Sequence, residues 1–555
     1  MMAFLQVFFY SILSAFLMSA SMPNEFIPFG SPFLGLFALV PLYTAIYKSK
    51  NFKMAGFAVS MQIGVCHLLS SFWLANFQDF AVFTLGASAA WYFLTGYLYG
   101  ALLYLPFKKS KSGETFLREN AGLCPYASVL RIILFACVWT FYEWIKSTGF
   151  LAYPWGTLMM SAYRWKLITQ VTALTGVWGL SFLFSLFSAV VGEGLYLLCE
   201  KNNAPVSGYA NTAAMCITLF LAVTLYGTAE YFEPRVPVKT IDTVIVQQNA
   251  DSWTSNPKET LMKSIHLTQD AIDEADIAPD LVLWSETSLS YSMPDSLSYY
   301  KVFPPQYPLV DAIQDIGSPF IIGAPYRVQK NPNIYANSAL YFTPEGTIKD
   351  YYSKIHLVPF AESVPYSDKK WMQDLMQKTA GFSSGWASGD RLVIFEAECK
   401  DGSTVRFSTP ICFEDAFGDV CRQLYLAGSE IFMNITNDSW SQTNSAEIQH
   451  FVMSSYRAQE YRTTLVRSTN AGYSVVVDPA GRIIADLPLF EAASMLCSVP
   501  VYRRELTIYA YLGDWFPFCV LAFLIMFYSE IIAEEFFTKK FNEVYFPLIS
   551  LRAKH

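Results

Sequence analysis

The chain has 555 residues, of which 53% are hydrophobic, 17% aromatic and only 15% charged. This composition excludes a disordered chain, a collagen and a small disulfide-stapled domain, and it is too apolar for a purely soluble protein. The 38 basic and 46 acidic residues give a formal net charge of -8, which offers no basic field for binding nucleic acid. The ten cysteines lack CxxC pairs and zinc-site spacing, so they indicate neither a metal site nor a disulfide framework.

Apolar segments fill residues 1–230 and recur near the carboxyl terminus. A helix needs about 20 predominantly apolar residues to cross a bilayer. We therefore predict eight spans, near residues 3–22, 26–47, 54–77, 80–106, 128–146, 167–199, 210–229 and 514–533. The first segment could be a signal peptide, but no basic residue precedes it and its apolar run is longer than usual, so we favour a retained helix.

Basic residues collect beside several of these spans. They occur after span two, after span four and in the tail: Lys48, Lys50, Lys53, Lys108, Lys109, Lys111, Arg118, Lys539, Lys540, Arg552 and Lys554. The turns after spans one and three, around Pro23–Glu25 and Gln78–Asp79, carry no basic residue. Because basic loops stay in the cytoplasm, both termini are predicted inside and residues 231–510 outside.

Residues 231–510 alternate short apolar strands with helical stretches, which indicates an α/β domain. The strand candidates are Thr243–Val246, Leu281–Trp284, Phe320–Ile322, Val405–Cys412 and Glu430–Ile435. Helices are predicted at Lys258–Ala275 and Ser445–Arg462, and Glu233–Pro237 has the composition of a linker. The predicted organisation is a transmembrane region at 1–230, a catalytic domain at 231–510 and a final span with its tail at 511–555.

Polar residues at strand ends suggest chemistry. Cys412 follows an apolar strand and precedes Glu414, Asp415 and Gly418, a corner of the kind that exposes a nucleophile. A lone cysteine is more often a buried structural residue. Glu286 ends the run Leu281–Trp284, where its ordinary role would be a charge near a helix amino terminus.

Lys354 and Glu362 provide two more candidates. Both lie in the otherwise apolar stretch Tyr352–Pro365, where a surface ion pair is the ordinary explanation. A glutamate, a lysine and a cysteine in this order resemble the triad of the carbon-nitrogen hydrolase (nitrilase) superfamily, which transfers acyl groups through a thioester.

The resemblance extends to the whole chain. Several amino-terminal spans, an inserted nitrilase-like domain and one last span are similar to the apolipoprotein N-acyltransferase family. The motifs that carry the resemblance are His356–Phe360, Ile411–Glu414, Thr436–Trp440, Gln449–Phe451 and Arg467–Asn470. It implies a helical bundle of about eight spans joined to an α/β domain built as an α-β-β-α sandwich.

The resemblance also implies a role for each matching residue. Cys412 would be the nucleophile, Glu286 the general base and Lys354 the cation that stabilises the thiolate and the oxyanion. Glu362 would be a further essential carboxylate, and Glu414 would orient the corner that carries the nucleophile.

Three tryptophans match positions near the lipid substrates: Trp155, Trp253 and Trp440. Trp155 has an ordinary alternative in an interfacial aromatic belt, and Trp253 has one in ordinary strand-end capping. The sequence departs from the family at Phe413, where tyrosine is usual, and at Ser441-Gln442, where Phe-Gly is usual. These departures affect the local loop and its lipid contacts, not the triad.

The implied activity is transfer of an acyl chain from a phospholipid to the amino-terminal cysteine of a diacylated apolipoprotein, with no cofactor or metal. A membrane-tethered amidase that uses water as acceptor is the main alternative. A transporter is disfavoured because the spans hold few ionisable groups, Glu143 and Glu193 being the clearest. Whether Cys399, Cys421 or Cys497 form disulfides stays open.

Overall fold

The computed structural model describes residues 1–77, 82–108, 126–199, 206–251, 254–302, 308–363, 366, 369–380 and 385–544. Some residues named above lie outside these ranges: Gln78, Asp79, Lys109, Lys111, Arg118, Trp253, Pro365, Arg552 and Lys554. The side chains of Lys539 and Lys540 are also outside the description.

The described residues before the α/β domain form a set of helices. These are α1 Met2–Ser21, α2 Pro32–Phe37, α3 Val40–Lys48, α4 Phe52–Ser70, α5 Ser88–Tyr104, α6 Ala127–Lys146, α7 Lys166–Thr169, α8 Thr172–Thr175, α9 Trp178–Cys199 and α10 Val206–Phe232. Five described stretches are long and apolar enough to cross a membrane: Met2–Ser21, Phe52–Ser70, Ala127–Lys146, Trp178–Cys199 and Gly208–Phe232. Pro32–Lys48 and Trp515–Glu530 are shorter apolar stretches. The chain is therefore a membrane protein.

The helix boundaries correct several predicted spans. The helix predicted at 26–47 begins at Pro32 and is interrupted between α2 and α3, where Pro41 cannot supply a backbone N–H. The helix predicted at 54–77 ends at Ser70. The prediction of one helix over 167–199 is wrong, because Gly176 adopts φ +63° after two short helices and α9 starts at Trp178.

Helices α4 and α5 pack at close range and run antiparallel. A Cβ on Gly100 would lie 2.5 Å from the Cα of Gly56, so the small residues allow the backbones to approach. At the other end His67 Nε2 lies 2.8 Å from Ser88 Oγ. Lys108 lies over the Phe52 ring, so it is at the end of this pair opposite Ser70.

The α/β domain contains two six-stranded mixed sheets in the described residues. The first has the strand order β12-β1-β2-β3-β4-β5 and the second β11-β10-β9-β8-β7-β6. The strands are β1 Lys239–Gln247, β2 Leu281–Trp284, β3 Phe320–Gln329, β4 Ile334–Phe342, β5 Ile348–Ser353, β6 Phe395–Glu398, β7 Thr404–Ser408, β8 Ile431–Thr436, β9 Thr464–Thr469, β10 Val475–Val477, β11 Ile483–Asp486 and β12 Ala493–Val501. The central strands β1, β2 and β3 are parallel, as are β7, β8 and β9.

The remaining helices are α11 Pro257–Ala275, α12 Leu297–Val302, α13 Leu309–Ile316, α14 Lys370–Ala380, α15 Gly418–Leu426, α16 Asn444–Tyr461, α17 Ile508–Leu512 and α18 Trp515–Val544. Each predicted strand and both predicted helices of the domain overlap an observed element, although β3 runs to Gln329, well past the predicted end at Ile322. The strand predicted at Val405–Cys412 is too long, because β7 ends at Ser408 before Pro410.

Alternating side chains give the domain its layers. Along β2, Leu281 and Leu283 share a core with Ile431 and Met433 of the second sheet. Val282 and Trp284 point the other way and pack against helices α11 and α13. The opposite face of the second sheet packs against α15 and α16, in a core that continues into the membrane helices.

Helix α16 joins the domain to the membrane helices. Every residue from Ser445 to Tyr461 is buried. Gln449 Nε2 donates to the carbonyls of Pro23, at 2.8 Å, and Ser70, at 3.0 Å, while its Oε1 accepts from Trp73 Nε1 at 3.2 Å. The Glu25 carboxylate accepts the backbone N–H of Ser445 at 2.8 Å. The loops after α1 and α4 are thus fixed to the α/β domain.

The two carboxylates singled out in the spans are held by local partners. Glu143 Oε1 accepts from the backbone N–H of Leu158 at 2.8 Å. Glu193 on α9 pairs with Arg131 on α6, whose Nε lies 3.0 Å from Glu193 Oε2, and both side chains are buried. These contacts indicate a structural role for both groups.

Replacing Arg131 with Met should strongly destabilise the helical bundle, because Glu193 would keep a buried charge without its cation. Removing one partner of a buried ion pair commonly costs about 3 to 5 kcal/mol. We expect a clear fall in the midpoint of thermal unfolding in detergent, partly reversed in the double variant Arg131→Met/Glu193→Gln. Arg406→Met, which breaks the exposed Arg406–Glu396 pair, is the control and should cost about 1 kcal/mol or less. Equal midpoints for the Arg131 and Arg406 variants would contradict this role.

Candidate active site

Cys412 lies at the corner that the sequence predicts. After β7 ends, residues Cys412–Ala416 form one turn of 3-10 helix. Cys412 has φ +49°, in the left-handed region, which costs a residue with a side chain on the order of 1 to 3 kcal/mol. Its thiol is partly exposed, and Sγ lies 4.0 Å from Oδ1 of Asp438.

Glu414 holds this corner against the end of β5. Its carboxylate accepts the backbone N–H of Ile411 at 2.7 Å, of Ile355 at 2.7 Å and of His356 at 3.0 Å. It also accepts the hydroxyl of Tyr352. Burial raises the pKa of Glu414 to about 7, against the N–H bonds that favour its charge. One side chain thus connects the segment carrying Cys412 with the segment carrying Lys354.

Lys354 is buried between two glutamates. Its Nζ lies 2.8 Å from Glu362 Oε2 and 3.5 Å from Glu286 Oε1. Asn337 on β4 bridges the same carboxylates, since its Nδ2 lies 2.6 Å from Glu286 Oε1 and 3.1 Å from Glu362 Oε1. The Lys354 side chain is only 1% exposed, so the ion pair is not the surface pair that was its ordinary explanation. Glu286 likewise caps no helix, because α12 begins only at Leu297.

The charged groups in this cluster shift one another's pKa values. Burial alone would lower the pKa of Lys354, but Glu362 and Cys412 raise it well above its usual value. Burial raises the pKa of Glu286, and Lys354 partly opposes that shift. Burial and the charge of Glu286 raise the pKa of Cys412 well above that of a free thiol. The resting site therefore favours a protonated thiol, with a carboxylate of raised proton affinity as its partner.

Aromatic rings from the membrane half of the chain pack against the turn that carries Cys412. Trp155 stacks on Phe413, with ring centroids 5.5 Å apart and planes 9° apart. Trp73 contacts Trp155 at 6.0 Å and Trp440 at 5.6 Å. The phenyl ring of Phe413, which replaces the usual tyrosine, is thus used for stacking. Of the three predicted tryptophans, Trp155 stacks on the residue that follows Cys412, Trp440 connects to Trp155 through Trp73, and Trp253 lies outside the described residues.

Sequence reasoning missed several polar residues of this site. Asn337 sits within an apolar strand and carries no motif. Asp438 and His450 belong to recognised motifs, but nothing in their spacing shows that His450 Nδ1 lies 2.8 Å from Asp438 Oδ2. Asn437 gives its backbone N–H to Glu286 Oε2 at 2.8 Å. A polar residue inside a buried strand was the available signal for Asn337.

The cysteines left open above are all free thiols. Cys399 and Cys421 are buried and Cys497 is partly exposed. Burial raises the pKa of each of these thiols, which makes them poor nucleophiles. Cys412 differs from them in its neighbouring lysine and glutamates.

Comparison with known proteins identifies both parts of the chain. Residues 244–506 match the carbon-nitrogen hydrolase family, and residues 14–190 match the apolipoprotein N-acyltransferase N-terminal domain. The apolipoprotein N-acyltransferase 2 of Treponema denticola is 43% identical over 534 residues, covering 95% of this chain and 98% of the relative. The apolipoprotein N-acyltransferase 2 of Treponema pallidum is 40% identical over 538 residues, covering 92% and 93%. The apolipoprotein N-acyltransferase of Borreliella burgdorferi is 30% identical over 519 residues, covering 92% and 93%.

Fold and site together define a membrane-embedded protein with a nitrilase-like, carbon-nitrogen hydrolase domain. The similarity extends over almost the full length of both this chain and its relatives. The chain belongs to the apolipoprotein N-acyltransferase family.

Glu414→Ala should destabilise the protein, because the buried N–H of Ile411 and the partly buried N–H groups of Ile355 and His356 would lose their acceptor. An unsatisfied buried donor costs about 1 to 3 kcal/mol, and we expect a total in about that range because water can reach the other two donors. The thermal unfolding midpoint of the full chain in detergent measures the effect. Glu414→Gln keeps one acceptor oxygen, so its unfolding midpoint should lie between those of Glu414→Ala and the wild type.

Glu345→Ala is the matched control, because Glu345 is exposed and its loss should change stability by no more than about 0.5 kcal/mol. If Glu414→Ala unfolds at the temperature of this control, Glu414 does not hold the corner.

Proposed function

We propose that this protein transfers an acyl chain from a phospholipid to the α-amino group of the amino-terminal cysteine of a diacylated apolipoprotein, the last step of lipoprotein maturation. The observation that carries the proposal is the cluster of Lys354, Glu286 and Glu362 near Cys412, with Trp155 from the membrane half of the chain stacked on Phe413. The names of its relatives support the same activity.

In the first half-reaction Cys412 becomes acylated. Glu286 takes the thiol proton, and the sulfur attacks the ester carbonyl of the phospholipid. Lys354 stabilises the negative oxygen of the tetrahedral intermediate, where a cation in a water-poor site is most effective. The carbon–oxygen bond then breaks, and Glu286 returns its proton to the lysophospholipid oxygen that leaves.

In the second half-reaction the amine replaces the thiolate. The α-amino group attacks the thioester carbonyl, Glu286 accepts a proton from the nitrogen, and the carbon–sulfur bond breaks. The proton then passes to the Cys412 thiolate, which restores the resting enzyme. No step calls on a metal ion or an organic cofactor.

The remaining candidates have supporting roles. Glu362 holds Lys354 in place, and Glu414 fixes the corner that carries the nucleophile. Trp155 and Trp440 are proposed to contact the lipid chains, which fits their contacts with Phe413 and Trp73 near Cys412. Trp253 is proposed for the same role on its sequence match alone.

We also propose eight spans, seven within a transmembrane region at 1–230 and the last within residues 511–555, with the catalytic domain of residues 231–510 in the periplasm of an inner membrane. The contacts of Glu25 and Ser70 with α16 support this orientation, because Glu25 follows α1, Ser70 ends α4, and the connections after these two helices lack basic residues. Lys108 lies at the opposite end of the α4–α5 pair, as expected of a cytoplasmic connection.

Incubation of the purified protein with a phospholipid of defined chain length should increase its intact mass by one acyl group. The adduct should be released by hydroxylamine, as thioesters are, and should be absent from Cys412→Ala. Glu286→Gln should form it on the order of 100 to 1,000-fold more slowly, by analogy with the loss of one transition-state contact.

Cys497→Ala, which removes another partly exposed thiol, is the control and should be acylated like the wild type. An undiminished adduct on Cys412→Ala would refute the assignment of the nucleophile. If the acylated enzyme transfers its chain to water rather than to a diacylated lipopeptide, the protein is a hydrolase of the amidase type.

A membrane-impermeant protease added to intact spheroplasts should cleave residues 231–510, because this domain is proposed to lie outside the cytoplasmic membrane. Immunoblotting against tags at either end of the domain would follow the cleavage. A cytoplasmic protein serves as the control for membrane integrity. Cleavage only after the membrane is broken would invert the topology and separate the site from its lipoprotein substrate.

A further inference from the structure

Four charged side chains are buried together behind Cys412. Asp415 lies on the corner itself, Asp438 follows β8, His450 lies on α16 and Arg467 on β9. The side chains of Asp415, His450 and Arg467 are at most 4% exposed, and that of Asp438 is 10% exposed. The triad proposed above does not include them.

His450 lies between two carboxylates. Its Nδ1 lies 2.8 Å from Asp438 Oδ2, and its Nε2 lies 2.9 Å from Asp415 Oδ1. When both carboxylates are ionised they only accept hydrogen bonds, and both ring nitrogens donate. In that state His450 is an imidazolium held between two aspartates.

The cluster is electrically balanced only in that state. Arg467 Nη1 lies 2.6 Å from Asp415 Oδ2 and its Nη2 lies 3.7 Å from Asp438 Oδ2. With His450 protonated, two cations face two anions. Loss of the proton would leave one uncompensated negative charge beside the thiol.

We infer that His450 is a positioning residue for the nucleophile: its protonated ring holds Asp438 beside Sγ of Cys412 and cancels the negative charge that would oppose formation of the thiolate. This inference rests on the proposed role of Cys412. The imidazole ring also lies 5.7 Å from the indole of Trp155. It therefore packs against the aromatic cluster of Trp155, Phe413 and Trp73.

The other charged groups near this cluster are Glu447, one turn before His450 on α16, and Lys354, which acts on Asp438. Burial lowers the pKa of His450, but Asp438 and Asp415 raise it to about 9. His450 is therefore protonated below about pH 9. As the pH rises through that value, the cluster becomes negative and opposes ionisation of Cys412.

The test measures the alkylation rate of Cys412 by iodoacetamide from pH 6 to pH 10, read by peptide mass in the full-length protein. Only the thiolate reacts, so the rate reports thiol ionisation independently of any acyl acceptor. In the wild type the rate should rise about tenfold per pH unit at first and less steeply above about pH 9. A constant tenfold rise per unit through pH 10 would overturn the inference without any variant.

His450→Gln should lower the rate at neutral pH on the order of tenfold, by leaving the cluster with a net negative charge, and should remove the change of slope. Adding Asp438→Asn restores neutrality, so the double variant should react faster than His450→Gln alone. A slower double variant would mean that His450 acts only through packing.

Failure of this inference differs from failure of the proposed function. If His450→Gln alkylates at the wild-type rate while acylation still requires Cys412, only the inference about His450 is overturned. If the acyl adduct forms without Cys412, the proposed nucleophile is wrong, whatever the alkylation profile.

Discussion

The site depends on one buried cation, Lys354, and on the two carboxylates that compensate it. Moving an ammonium group from water into the protein costs several kcal/mol, and Glu286 and Glu362 offset that cost only because both are within 3.5 Å. The arrangement also suits the proposed chemistry. Transfer of a proton from Cys412 to Glu286 moves a negative charge within the cluster without changing its total, so no new net charge has to be buried.

Keeping these groups together requires the carboxyl ends of the central strands of both packed sheets to lie at the same end of the domain. Glu286 and Lys354 follow strands of the first sheet, whereas Cys412 and Asn437 follow strands of the second. The bonds from Asn437 N to Glu286 and from Ile355 N to Glu414 cross between the two groups of loops. They compensate for the left-handed backbone at Cys412, which would otherwise relax.

The sequence predicted what depends on local pattern and missed what depends on distant contacts. The strands at Leu281–Trp284 and Glu430–Ile435 were predictable because buried strands are short, apolar and bounded by polar residues. The length of β7 was misjudged because the apolar run continues past Pro410. The balanced cluster around His450 was invisible, since Asp415 lies 35 residues before it and no periodicity connects them. Helix α16 carries polar as well as apolar residues, a pattern typical of an exposed helix. It is nevertheless buried from Ser445 to Tyr461, because loops of the membrane region bind its polar groups.

The burial of α16 changes what counts as the catalytic domain. Phe451 of α16 packs against Phe29 and Tyr163, and the hydroxyl of Tyr456 donates to the carbonyl of Met159. The three partners belong to the membrane half of the chain. A fragment cut after Phe232 would open this surface to water and expose an apolar patch that favours aggregation. The segments that connect the apolar helices thus complete the hydrophobic interior of the α/β unit. Unlike a free-standing hydrolase, this catalytic unit is inseparable from its anchor.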